Sequence, residues 1–195
     1  MIDVPKLIAM SVPVLKGFKR IEPRDWGLDG TFLELMTEIG SLGRNLTIWE
    51  NYRHGHRSRH NMADELSDIL FVLVKLTVNM DIKCSRLEPR KIESPETAFF
   101  MLAELALTLR KEMGAESADT QVIRRHIEEM ISLIGGFVDY YAISLEEAHQ
   151  EEMRFASLWQ RLFFTPEGRR IEHLVFLRKL VWGFAGWQHV RKMDR

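Results

Sequence analysis

The chain of 195 residues is long enough to bury one sizeable hydrophobic core, since a domain of this size buries roughly 70% of the surface that its unfolded chain exposes. It carries 27 basic and 28 acidic side chains and is 46% hydrophobic, which excludes a disordered, collagen-like or polycationic protein. The single cysteine, Cys84, excludes an internal disulfide and a multi-cysteine zinc site, so nothing indicates an oxidising compartment.

The first twenty residues contain an apolar run over residues 7–15 that has the length of a signal-peptide core. Asp3, Pro5 and Pro13, together with the lack of a small-x-small cleavage pattern, argue against secretion. No run approaches the roughly 18 apolar residues that a membrane span requires. We therefore predict a cytoplasmic protein without membrane contact, and the excess of basic residues before Glu22 leaves the mitochondrial matrix as the alternative in a eukaryote.

Two long stretches free of proline, residues 24–88 and 96–165, are candidate helical units because proline breaks helices. Apolar residues recur at helical spacing in both, and no stretch alternates with period two, so the pattern predicts an all-α fold. In the first unit the spacing links Phe32, Leu35, Met36, Ile39, Leu42 and Leu46, and then Leu66, Ile69, Leu70, Leu73 and Leu76. In the second unit it predicts helices over 100–113, 123–143 and 146–163.

The two units align with each other. Glu104 follows Glu38 by 104 − 38 = 66 residues, and Glu129 follows Glu65 by 129 − 65 = 64 residues. Nearly equal offsets predict a duplicated helical hairpin that forms a pseudo-twofold four-helix core. The predicted domain covers residues 1–165, with a first copy at about 18–88 and a second, degenerate copy at about 96–165.

Three further segments punctuate the chain. A basic loop, Arg53–His60, separates the helices of the first unit, and residues 85–95 form the linker between the units. Thr165 and Pro166 predict the start of an amphipathic, basic helix over 166–195. Its apolar residues exceed what a solvated tail carries, so we predict a homodimer to which this helix contributes.

Acidic residues are paired on two predicted helices. Glu65 and Asp68 are three residues apart and Glu34 and Glu38 are four apart, so each pair lies on one helical face. Like charges on an apolar helix are costly unless a cation neutralises them, and carboxylates are the ligands that Mg²⁺ or Mn²⁺ prefers. The alternative is a solvated face whose acids pair with nearby basic side chains such as Lys75.

Four motifs extend this pattern into a family resemblance. They are Arg24-Asp25-Trp26, Glu38-Ile39-Gly40, Leu46-Thr47-Ile48-Trp49 and Asp64-Glu65-Leu66-Ser67-Asp68-Ile69-Leu70. Their order and spacing resemble the all-α nucleoside triphosphate pyrophosphatases, the superfamily of MazG, dCTP pyrophosphatase and dimeric dUTPase. The resemblance covers residues 18–82 and, more loosely, 97–163, and residues 166–195 have no counterpart in it.

The resemblance implies a metal site at Glu38, Glu65 and Asp68, with Glu38 and Glu65 also acting in catalysis. Ser41 stands where the family has a fourth ligand, a glutamate, and Glu34 is the candidate to replace it. For the nucleotide it implies contacts from Trp26, Trp49, Lys75 and Asn79, the two indoles enclosing the base. The basic loop departs from the family, and its Arg53 and Arg57 are candidate contacts to the triphosphate, with a solvated loop as the alternative. In the second copy Leu107 and Ser132 replace two ligand positions, which implies a structural role for that copy.

The function implied is Mg²⁺-dependent or Mn²⁺-dependent hydrolysis of a nucleoside triphosphate, with a pyrimidine deoxynucleotide preferred, to the monophosphate and diphosphate. A catalytically degenerate member that acts as an interaction or scaffold subunit is the alternative, because Ser41 breaks the ligand set. A third hypothesis, nucleic-acid binding through the basic loop and the basic C-terminal segment, is weakened by the net charge of −1.

Overall fold

Six α-helices make up most of the part of the chain that the structure describes, which in this computed structural model is residues 1–22 and 26–164. The helices are α1 (Val4–Ile21), α2 (Gly27–Trp49), α3 (Arg59–Asn79), α4 (Pro95–Met113), α5 (Thr120–Tyr140) and α6 (Leu145–Phe163). Two short strands, β1 (Ile2–Asp3) and β2 (Arg86–Leu87), pair antiparallel. The predicted all-α fold is confirmed. The predicted helix over 166–195 lies outside the described residues, as do Arg24 and Asp25.

Two helical hairpins form the centre of the fold. Helix α2 packs on α3 and α4 packs on α5, while α2 also lies against α4 and α3 against α5. The helices predicted from apolar spacing are all present, and the two hairpins have similar helix lengths. This arrangement provides the four-helix core that a duplicated hairpin predicts. Leu35, Leu42, Leu66 and Leu102 are fully buried in that core.

Helix α1 was not predicted, because Pro13 stands in its interior. Asp3 caps the helix by accepting from the Lys6 amide, and the buried residues Val4, Leu7 and Val14 give it an apolar face. A proline inside a helix costs about 3 kcal/mol. Burying three aliphatic side chains contributes about 1.5–3 kcal/mol each, which outweighs that cost.

Helix α6 is held between α1 and α3 by a buried histidine. His149 is fully buried, with Nε2 2.8 Å from Ser11 Oγ of α1 and Nδ1 3.1 Å from Ser67 Oγ of α3. Ser11 donates its own proton to the Leu7 carbonyl, so it accepts from Nε2–H, and Nδ1 accepts from Ser67. Burial lowers the pKa of His149 to about 4, which keeps the ring neutral. These bonds set the register of α6 along α3.

The linker between the hairpins packs on α5. The Ser132 hydroxyl donates to the Glu88 carbonyl at 2.6 Å, and the Ser132 backbone carbonyl accepts from the Arg90 amide at 2.9 Å. A Cβ atom on Gly136 would clash with the Arg90 carbonyl oxygen, so glycine lets the linker backbone approach the helix. Ser132 is the residue that aligns with Asp68, so the linker covers the corresponding position of the second hairpin.

Within residues 1–22 and 26–164, every helix is too short or too polar to cross a lipid bilayer.

A candidate metal centre beside a cavity

Three carboxylates converge where α2 faces α3. Glu38 of α2 and Glu65 and Asp68 of α3 each place an oxygen within 4.8 Å of the other two, and all three side chains are half-buried. The spacing of three residues puts Glu65 and Asp68 on one face of α3, and the antiparallel packing of α2 brings Glu38 opposite. The convergence that the sequence predicts is thus present in the structure. We call these three residues the acidic cluster.

Burial and repulsion between neighbouring carboxylates raise the pKa values of all three carboxyl groups of the metal-free acidic cluster. Burial, and then the charge of Glu152, raise the pKa of Asp68 to about 9. Burial and the neighbouring Glu38 raise the pKa of Glu65 to about 7. The pKa of Glu38 is raised by burial and by Glu34 one turn earlier. A divalent cation would relieve this repulsion, since an opposite charge favours the ionised form of each carboxyl group.

A fourth carboxylate approaches from α6. Glu152 lines the same cavity as Asp68, and it lies one turn after His149, which bonds Ser67 beside Asp68. Burial, and the charges of Asp64 and Glu38, raise the pKa of Glu152 to about 7. Sequence reasoning missed this residue, because no spacing relation links α6 to the acidic motif more than 80 residues away.

The donor set fits a hard divalent cation. Carboxylate oxygens are the ligands of Mg²⁺ and Mn²⁺, and the half-buried cluster leaves room for water at the remaining positions. Asn45 donates to Glu65 Oε1 at 3.0 Å and thereby orients that carboxylate. Ser41 lies between Glu38 and Asn45 on the same stripe of α2, about one turn from each.

A cavity of about 910 Å³ opens beside the acidic cluster, between α1, α3, α6 and the start of α2. Asp68 and Glu152 belong to its wall, and so do Trp26, Lys75 and Asn79. Lys75 and Asn79 follow Asp68 on α3 by seven and eleven residues, which corresponds to about 10–16 Å along the helix. The cavity therefore joins three of the six residues predicted to contact a nucleotide to the predicted metal ligand Asp68.

The structure places Glu34 in an ion-pair network instead of the acidic cluster. Lys75 Nζ lies 3.2 Å from Glu34 Oε2 and 3.6 Å from Glu22 Oε1, and it sits 4.5 Å from the centre of the Trp26 ring. Its side chain is only 12% exposed. The pairing with Lys75 that the sequence left open is thus present for Glu34, and Lys75 itself is already engaged on three sides.

Trp49, Arg53 and Arg57 lie away from this cavity. Trp26 precedes α2 and Trp49 ends it, so about 34 Å of helix separates the two indoles and they do not enclose one base. Trp49 instead packs on Tyr141, with ring centres 5.0 Å apart. The sequence motifs gave the order of Trp26 and Trp49 along the chain. The distance between them is set by the continuous helix α2.

The basic loop is exposed and lies between the C-terminus of α2 and the N-terminus of α3. Arg53 does not line the cavity, and Arg57 donates to the Asn51 side chain within the loop. Two other cations, Lys16 and Lys19 of α1, do line it. In the sequence these two lysines were noted only as part of the excess of basic residues before Glu22, because α1 was not predicted as a helix.

Comparisons of this chain with protein-family models, with curated proteins and with solved structures found no match. The resemblance to the nucleoside triphosphate pyrophosphatases therefore stays a prediction from the motifs.

Proposed function

We propose that this protein is a divalent-metal-dependent nucleoside triphosphate pyrophosphohydrolase. The observation that carries the proposal is the convergence of Glu38, Glu65 and Asp68 beside a cavity of about 910 Å³, which Asp68 lines and which is large enough for a nucleotide. The reaction converts a (deoxy)nucleoside triphosphate and water into the monophosphate and diphosphate.

The acidic cluster holds the cation, Mg²⁺ or Mn²⁺, through carboxylate oxygens of Glu38, Glu65 and Asp68, with Glu152 facing it from α6. When bound, the cation supplies charge neutralisation at the phosphoryl oxygens. Asn45 keeps Glu65 oriented, and the His149 contact keeps α6 in register with α3. The chain thereby holds its ligands in place before substrate arrives.

Glu38 and Glu65 are the candidates to orient and deprotonate the attacking water. The water oxygen bonds to the α-phosphorus, the bridging bond from that phosphorus to the β-phosphate oxygen breaks, and diphosphate leaves. The water proton passes to the carboxylate.

The test is hydrolysis of a panel of deoxynucleoside and nucleoside triphosphates with Mg²⁺ or Mn²⁺, in which both diphosphate and phosphate are scored. We expect diphosphate and the monophosphate from wild type, and at least a hundredfold less from Asp68→Asn. Glu147→Gln is the matched control, because Glu147 is an exposed carboxylate of α6. Absence of turnover on every nucleotide would refute the enzymatic function.

A second candidate function, that of an interaction or scaffold subunit, is favoured by exposed apolar side chains on the α2/α4 pair. Leu33 is 70% exposed, Phe100 63% and Leu107 61%. The same hydrolysis panel separates the two candidates, because a scaffold would release no diphosphate while keeping its folded state.

A further inference from the structure

The cavity wall beside Trp26 carries a half-buried polar group built from two carboxylates and one ammonium. Glu22, Glu34 and Lys75 are between 12% and 23% exposed, and all three line the cavity. Thr31 lines the same wall. These four side chains, which we call the recognition wall, line the cavity together with Trp26, and Lys75 lies about 10 Å along α3 from Asp68.

Counting donors and acceptors shows what this wall offers a ligand. The Lys75 ammonium is directed at Glu34, Glu22 and the Trp26 ring, so its donors are in use. The Thr31 hydroxyl donates to the Gly27 carbonyl, which leaves only its oxygen to accept. Glu34 binds Lys75 through Oε2, and its Oε1 remains an acceptor. Glu34 Oε1 and the Thr31 hydroxyl oxygen thus present acceptors on the recognition wall, so a ligand group that meets them must donate a hydrogen bond.

We propose that the cavity selects cytosine and adenine nucleotides, whose bases carry an exocyclic amino group at N4 or N6, with Glu34 as the specificity-determining residue. This inference rests on the function proposed above and names its substrate class. The N4 amine of cytosine and the N6 amine of adenine donate hydrogen bonds at the position where uracil and thymine present a carbonyl oxygen. A carbonyl facing Glu34 would leave two acceptors opposed, which costs the desolvation of both. The Trp26 ring provides the apolar surface that either base requires.

The test is calorimetric binding of non-hydrolysable α,β-imido analogues of dCTP, dATP, dUTP and dTTP in the presence of Mg²⁺. We expect wild type to bind at least one amine-bearing analogue about tenfold more tightly than the dUTP and dTTP analogues. Comparing the dCTP and dATP analogues then shows which amine-bearing base the cavity accepts. Binding is measured without turnover, so the result does not depend on catalytic competence.

Glu34→Gln supplies an amide N–H₂ donor at the same position, and we expect it to reduce the tenfold ratio to about threefold or less. Glu104→Gln, an exposed carboxylate of α4, is the matched control and should keep the wild-type ratio. Thermal melts check folding, since Glu34→Gln weakens an ion pair. Glu22→Gln leaves Glu34 intact and tests the second carboxylate of the wall.

Equal or tighter binding of the dUTP or dTTP analogue by wild type would overturn the inference, as would an unchanged ratio in folded Glu34→Gln. Either result would leave the proposed function standing, because the protein would still bind nucleotides. Absence of binding for all four analogues would instead remove the proposed function together with this inference.

Discussion

Replacing Asp68 by asparagine tests the electrostatics of the acidic cluster directly. Burial and the neighbouring carboxylates raise the pKa of this carboxyl group in the folded metal-free chain from its ordinary value of 3.8 to about 9. Between these values the folded state binds a proton that the unfolded state releases, so the stability contributed by Asp68 is complete below pH 3.8 and is lost as the pH rises through 9. The loss is about 1.4 kcal/mol per pH unit.

At pH 7 this loss has an upper limit of about 4 kcal/mol. Asp68 keeps some solvent contact, so we expect Asp68→Asn to recover about 2 kcal/mol and to raise the melting temperature by about 4–8 °C in EDTA at pH 7. At pH 4, close to the ordinary value of 3.8, the unfolded carboxyl is only partly ionised, so the gain should fall to about 0.5 kcal/mol or less. With Mg²⁺ at about 100 times its dissociation constant, wild type should gain about 2.7 kcal/mol, and the variant much less.

Circular dichroism melts at pH 4 and pH 7, with EDTA and with saturating MgCl₂, provide the measurement, and Glu147→Gln again serves as the control. A lower melting temperature of metal-free Asp68→Asn at pH 7 would contradict the proposed repulsion at Asp68. An equal gain in stability from Mg²⁺ in wild type and in the variant would show that Asp68 does not bind the cation.

Three further changes probe the rest of the site and the assembly. Ser41→Glu should tighten Mg²⁺ binding by about tenfold in calorimetry, since it adds an anionic ligand about one turn from Glu38, and unchanged affinity would mean that the position does not reach the cation. Glu152→Gln should weaken Mg²⁺ binding while Glu147→Gln does not; equal affinities would exclude Glu152 from the site. Deleting residues 166–195 should convert a dimer to a monomer in light scattering, and an unchanged, folded dimer would show that this segment is not the contact.

The acid limb of the stability curve reports on His149. Its folded pKa of about 4 lies below the ordinary histidine value of 6.5, so its stabilising contribution is present above pH 6.5 and is lost as the pH falls through 4. The loss has an upper limit of about 3 kcal/mol. His149→Gln keeps hydrogen-bonding groups without this titration and should therefore show a shallower decline between pH 6.5 and 4 in urea melts. An identical decline in both proteins would assign the acid sensitivity to other groups.

Local spacing predicted the parts of the site that lie on neighbouring turns. Glu65 and Asp68 share a face of α3 because they are three residues apart, and Glu38 joined them through the hairpin that the apolar pattern indicated. Glu152 and Lys16 depend on how α6 and α1 pack, and packing between distant segments leaves no periodic signal. The distance between Trp26 and Trp49 could not be predicted for a related reason, since the order of motifs along a chain does not give the roughly 34 Å that the continuous helix α2 places between them.

Pro13 shows that a proline does not always mark the end of a helix. Proline was treated as a helix boundary, and at Pro95 this was correct, because α4 begins there. In α1 the same residue type is tolerated in the middle of a helix whose apolar face is buried. Local propensity is a weak term beside burial, so the same rule succeeded at one proline and was wrong at another.

The linker that lies on α5 would compete with any free ligand for the same surface of that helix. A segment attached at both ends to its own binding surface has an effective concentration in the millimolar range or higher, so a free ligand of ordinary affinity does not displace it. The surface around Ser132 and Gly136 is therefore closed to exchange with solution while the chain is intact. The linker therefore occupies this part of α5, whereas the acidic cluster between α2 and α3 borders the cavity that a ligand can enter.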